Sequence, residues 1–154
     1  MISFRVQDGV PVAGRLEYDG TGFDTEPRPA GCVASILVND LELMISEDDQ
    51  QVAFVSGYCP QEGWRPTTLT PLFTRSARLF AELGQPLVSG VSIRLTPLQE
   101  PWDVSVDRRN GWIRLGASES VTERAGITFA PGAVACLDGN RLIALWLQPK
   151  SLHR

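Results

Sequence analysis

The chain of 154 residues is 43% hydrophobic and 21% charged, with 18 acidic and 14 basic side chains, a net charge of −4 and a pI near 5.0. With a mean hydropathy of −0.05, it is too apolar for a disordered polymer. Its longest apolar stretches (31–39 and 125–140) are too short, or too broken by Gly, Pro and Asp, to span a bilayer as a helix.

Residues 2–7 alternate, with Ile2, Phe4 and Val6 on one face, and Asp8-Gly9 predicts a hairpin turn into a strand over 10–18. Residues 19–31, rich in Gly and Pro, read as a loop. A strand over 33–38 leads through the turn Asn39-Asp40 into a strand with Leu41, Leu43 and Ile45 on one face. The acidic turn Glu47-Asp48-Asp49 and a strand over 52–58 complete a three-stranded meander. Residues 58–71 are irregular and hold three prolines. One short helix is predicted over 72–83, because Phe73, Ala77 and Phe80 fall at i, i+4 and i+7, Thr74 can cap and Gly84 can stop it.

Strand signals return at 88–95 and at 102–106, where Trp102, Val104 and Val106 alternate with Asp103, Ser105 and Asp107. They continue at 112–115, 127–129, 133–137 and 142–147, with a polar loop over 116–126. Asp138-Gly139-Asn140 joins the last two strands into the clearest hairpin, and Leu142 to Leu147, apolar on both faces, reads as a central strand covered on both sides. The pattern of 33–58 is echoed over 88–116, which suggests a pseudo-repeat of two three-stranded meanders. About ten strands and little helix predict an all-β, mainly antiparallel single domain over residues 1–149, a barrel, roll or sandwich, with a frayed tail at 150–154. Segments 129–134 and 137–142 resemble the turns of small bacterial β modules, a likeness that implies no function.

Among the cations only Arg108 and Arg109 are adjacent, so the clustered positive charge that binds DNA or RNA is missing. The only histidine is His153, beside the C-terminus, so Ser–His and Cys–His relays lack their imidazole. The three cysteines, Cys32, Cys59 and Cys136, are an odd set, and residues 1–6 carry no leader pattern. Free thiols in the cytoplasm are expected. Cys32 and Cys136 lie in apolar stretches and read as core. Zinc spacing, phosphate loop, dinucleotide fingerprint and EF-hand are all missing, so no cofactor or metal is expected. Asp103, Ser105 and Asp107 read as a solvent-facing edge opposite Trp102, Val104 and Val106.

One segment stands out. Gly57 to Pro66 gathers Tyr58, Cys59, Glu62, Trp64 and Arg65 in a loop framed by Gly and Pro. Tyr, Trp and Arg dominate binding hot spots, and loops on a rigid sheet carry sites. The competing reading has Tyr58 and Trp64 plugging one end of the fold while the prolines stiffen the crossing. Trp112 and Arg114 alternate away from Ile113 and Leu115 and offer a second aromatic–Arg pair, whereas Trp102 and Trp146 read as core. The sequence therefore favours a non-enzymatic acidic β domain that binds another protein, of accessory or immunity type. The alternative is a barrel holding a small molecule, a metal-free cyclase or isomerase working by positioning and carboxylates. A homodimer through an edge strand or Trp112 is compatible with either, and neither nucleic acid nor membrane is an expected partner.

Overall fold

A computed structural model describes residues 2–117 and 123–152. The first eight strands are β1 (Ser3–Gln7), β2 (Arg15–Tyr18), β3 (Gly22–Glu26), β4 (Cys32–Val38), β5 (Leu41–Ser46), β6 (Val52–Tyr58), β7 (Arg65–Pro66) and β8 (Phe73–Ser76). The rest are β9 (Arg78–Glu82), β10 (Ser92–Arg94), β11 (Asp103–Asp107), β12 (Trp112–Gly116), β13 (Ala125–Ala130), β14 (Ala133–Asp138) and β15 (Arg141–Leu147). The chain is all-β, with antiparallel and mixed sheets. Among the described residues the one helical element is a 3-10 turn at Gln61–Gly63, and no helix is long and apolar enough to cross a membrane.

One sheet has six strands in the order β10-β4-β5-β6-β3-β2, a second has seven in the order β7-β11-β12-β15-β14-β13-β8, and β1 and β9 form a third of two strands. The predicted meander forms β4, β5 and β6. Asn39 takes a left-handed φ of 56° at the first turn, a conformation Asn tolerates better than most residues. Leu41, Leu43 and Ile45 are all buried. β15 lies fourth of seven, paired on both sides by β12 and β14, as its two apolar faces require. Leu16, Phe23, Ile36, Leu43 and Val55 of the six-stranded sheet meet Ile113, Leu115, Phe129, Leu145 and Leu147 of the seven-stranded sheet in a common core, which Phe4 of β1 joins. Each such side chain contributes roughly 1.5–3 kcal/mol by leaving water. A second cluster, Leu69, Val134, Cys136, Ala144 and Trp146, lies on the opposite face of the seven-stranded sheet.

Several expectations are corrected. The segment expected as a helix over 72–83 is extended: β8 runs into β9, whose partner β1 is antiparallel to it. Ala77, Leu79, Ala81 and Leu83 are all buried, whereas Phe73 is 85% exposed, so the period of two outweighs the three residues that fit a helix. Asp8-Gly9 does not turn a hairpin, because β1 pairs with β9 and β2 pairs with β3. The loop expected over 19–31 contains β3. Residues 88–116 form no second meander, since β10 joins β4 in one sheet while β11 and β12 belong to the other. The ladders do not close into one barrel, and there are fifteen strands among the described residues rather than about ten. The tail is attached through Leu152: the Lys150 N–H donates to the Leu16 carbonyl at 2.9 Å, and Leu152 packs on the core. His153 and residues 118–122 of the predicted polar loop lie outside the described residues.

Candidate binding surfaces

Residues 59–66 carry the chain from β6 to the edge of the seven-stranded sheet, where Arg65 and Pro66 pair in parallel with Ser105 and Val106. The exit is tight. Gly57 has φ 116°, and a Cβ there would meet the Asp40 carbonyl oxygen at 2.9 Å. The Cys59 N–H donates to the Thr21 carbonyl at 2.8 Å, and the Tyr18 hydroxyl donates to the Cys59 carbonyl at 2.7 Å. The Tyr18 ring lies 5.0 Å from Trp64 and 4.8 Å from Phe23. Trp64 and Cys59 are therefore interior anchors, 8% and 7% exposed. The Trp64 indole N–H has no well-formed hydrogen bond among the described residues. Burial pushes the Cys59 thiol up to about 11, against a smaller downward pull from that indole, so its nucleophilic thiolate is scarce at neutral pH. Tyr58, Glu62 and Arg65 stay exposed, and Arg108 donates to the Gln61 side chain at 2.8 Å.

Trp112 and Arg114 do lie on the face opposite Ile113 and Leu115, but that face is covered. Arg114 is 3% exposed. Its Nε donates to Glu123 Oε1 at 2.7 Å and its Nη2 to Oε2 at 3.0 Å, and the Glu123 side chain is likewise 3% exposed. The Trp146 indole donates to Glu123 Oε1 at 3.1 Å, and Trp112 packs edge-on against Trp146 at 6.0 Å. Burial alone raises a carboxyl; here the Arg114 and Trp146 hydrogen bonds outweigh it and hold Glu123 at about 2. Burial, with the Glu123 charge adding to it, drives the Cys136 thiol up to about 12. A Cβ on Gly116 would strike the Arg114 guanidinium, so that glycine is the seat on which the group lies.

Ser105 and Asp107 are 6% and 5% exposed, which corrects the reading of 103–107 as a solvent-facing edge. Residues 67–72 pass over this side: the Leu69 N–H donates to Asp107 Oδ2 at 3.0 Å, and Asn110 Nδ2 donates to the Leu69 carbonyl at 2.8 Å. The Leu69 N–H lowers the Asp107 pKa most. Glu123 escaped the sequence reading because nothing local marks an acid as buried. The available signal was Arg114 on a strand with Gly two residues on.

The exposed counterpart is β8. All four of its residues are exposed, and it ends its sheet, paired only with β13 in parallel. The Phe73 and Ala77 N–H groups donate toward β13, to Arg124 O at 2.9 Å and Thr128 O at 3.1 Å. By alternation the backbone groups of Thr74 and Ser76 face the open side. Beneath Phe73 lies an apolar groove of about 490 Å³ walled by Val6, Ala125, Ile127 and Leu137. Arg75 is paired with Asp8 at 3.0 Å, and Arg124 beside it is exposed. Comparison of the chain with protein-family models gives no match, and comparison with curated proteins gives none either.

Proposed function

We propose that the chain is a non-enzymatic binding protein that takes up an extended segment of a partner protein as an added strand on β8. One observation carries this reading: β8 is an edge with unused backbone groups, Phe73 is 85% exposed, and an apolar groove lies beside it. Natural edge strands are usually blunted by charged side chains, Pro, bulges or a covering element; Phe-Thr-Arg-Ser carries a single charge, Arg75, which is paired with Asp8 at 3.0 Å. Strand addition draws affinity from main-chain hydrogen bonds and specificity from pockets for alternate side chains. The matching segment alternates apolar residues for the groove with an acid for Arg124. The six- and seven-stranded sheets around a shared core support a sandwich or roll as the architecture. Three free thiols, two of them buried and held protonated, support a reducing compartment, the cytoplasm.

The test compares partners captured from the native host by the wild type, by Phe73→Asp and Thr74→Pro, and by the Tyr58→Ala/Arg65→Ala pair. Thr74 gives no N–H to the β13 ladder, so proline there removes an outward donor without opening the sheet. The reading expects capture to be lost in both β8 variants and kept in the loop variant, with circular dichroism unchanged. Loss in the loop variant alone places the surface at Tyr58, Glu62 and Arg65 instead. Sedimentation of the purified chain separates a foreign partner from a second copy paired β8 to β8.

A further inference from the structure

A second opening lies where the two sheets fail to join. β10 has three residues and is the outer strand of its sheet, paired in parallel with β4, while after Trp102 the chain enters the other sheet as β11. Between them is a cleft of about 500 Å³, within the range of small-molecule sites. Its apolar wall is Ile2, Leu83, Ile93, Leu95, Trp102 and Leu142. Leu83 and Leu142 are buried, and the other four are partly buried and packed against the main core.

The wall is rigid. Asn39 Nδ2 donates to the Trp102 carbonyl at 2.9 Å, and the Trp102 N–H donates back to Asn39 Oδ1 at 2.8 Å. The Asn39 N–H donates to Thr96 Oγ1 at 2.6 Å, and Thr96 is itself 1% exposed. The segment from Thr96 to Trp102 is thereby pinned at both ends, so a ligand does not have to order it.

Among the described residues, the charged side chains that line the cleft are Arg94 and Arg141, in a chain whose net charge is −4. Arg94 is positioned by the Asn39 and Thr96 carbonyls, which accept from its Nη1 at 2.9 and 3.4 Å. Its Nη2 lies 3.7 Å from Asp40 Oδ1, and that carboxylate is mostly exposed. The Arg141 side chain makes no hydrogen bond or ion pair among the described residues. Guanidinium groups match the planar geometry of carboxylates. We propose that this cleft binds a small amphipathic carboxylate, its apolar chain on Ile93, Leu95 and Trp102 and its head on Arg141 and Arg94. The site is separate from the β8 edge and does not depend on the docking reading.

Decanoate, below its micellar concentration, is the probe, with decanol as the uncharged control and decyltrimethylammonium as the cationic one. Calorimetry should give one saturable decanoate site, with decanol at least tenfold weaker, and NMR shifts should map to Ile93, Leu95 and Trp102. Arg141→Gln, which removes no side-chain hydrogen bond or ion pair among the described residues, should weaken decanoate about fivefold and leave decanol unchanged. Arg141→Glu should abolish decanoate binding and admit decyltrimethylammonium, a gain that only a folded variant can show. Absence of saturable decanoate binding, equal binding of decanoate and decanol, or shifts confined to the groove under Phe73 would overturn the assignment.

Discussion

Replacing Arg114 by methionine removes one half of a charge pair in which both side chains are 3% exposed. The carboxylate of Glu123 then keeps the Trp146 N–H at 3.1 Å and loses the guanidinium donors at 2.7 and 3.0 Å. Stranding one member of a buried pair costs about 3–5 kcal/mol. A second route gives a similar figure. Glu123 drops from 4.5 to about 2 on folding, and at 1.36 kcal/mol per unit that is about 3 kcal/mol of linkage stability. Because the folded value is depressed, this stability is fully present above pH ~4.5 and is lost as pH falls toward 2. Urea denaturation at pH 7 should therefore show Arg114→Met about 3 kcal/mol less stable than wild type, with a melting temperature roughly 6–12 °C lower. In the variant the buried Glu123 has a raised pKa, so the deficit should shrink between pH 7 and pH 5. Adding Glu123→Gln removes the stranded charge, and the double variant should regain about 2 kcal/mol over Arg114→Met alone. A loss under about 1 kcal/mol, or a cycle additive within about 0.5 kcal/mol, would falsify the reading of Arg114 and Glu123 as a coupled buried pair.

Gly116→Ala places a methyl group where the Arg114 guanidinium lies; it should cost about 2 kcal/mol in the wild type and much less on the Arg114→Met background, as paired urea curves would show. Asn39→Ala deletes both side-chain hydrogen bonds to Trp102 at a residue with φ 56°. A loss of about 2–3 kcal/mol is expected, read by urea denaturation, with a shift in Trp102 fluorescence. Cys59 and Cys136, held at about 11 and 12 by burial, should resist a disulfide-exchange reagent at pH 8 in the native state. Cys32, less buried, should label first, and fast labelling of all three would contradict the buried environments.

Strands whose alternation is strict, such as Leu41 to Ile45, and the two-sided apolar strand Leu142 to Leu147 were legible from side-chain pattern alone, because burial on one or both faces writes itself into local sequence. Pairing partners were not. Asp8-Gly9 has hairpin chemistry, yet β1 finds β9 more than seventy residues along, since a turn signal states only that the chain can bend. Phe73, Ala77 and Phe80 imitate a helix face although Phe73 is exposed; without it, Ala77, Leu79, Ala81 and Leu83 read as a strand. In the site, the attraction of aromatic and Arg residues pointed to Trp64 and Arg114, both of which are interior. The same chemistry that makes such residues good contact makers also serves a protein inside itself, and sequence does not separate the two uses. Thr96 acts on Asn39 across 57 residues, and Glu123 on Arg114 across nine, and neither spacing matches a strand or helix period.

Residues 67–72 also set a length. The Thr67 N–H still bonds Val106 at one edge of the seven-stranded sheet, and the Phe73 N–H already bonds Arg124 at the other. Six residues at full stretch reach roughly 20–22 Å, whereas seven strands about 4.8 Å apart put their outermost axes roughly 29 Å apart in an open sheet. The tether is shorter than the sheet is wide, so it works as a bowstring and the sheet bends toward it. Curvature here is metered by residue count. Two flexible residues spliced in beside Thr70 would slacken the string, letting the sheet open and water reach Arg114 and Glu123 while leaving every strand its partners.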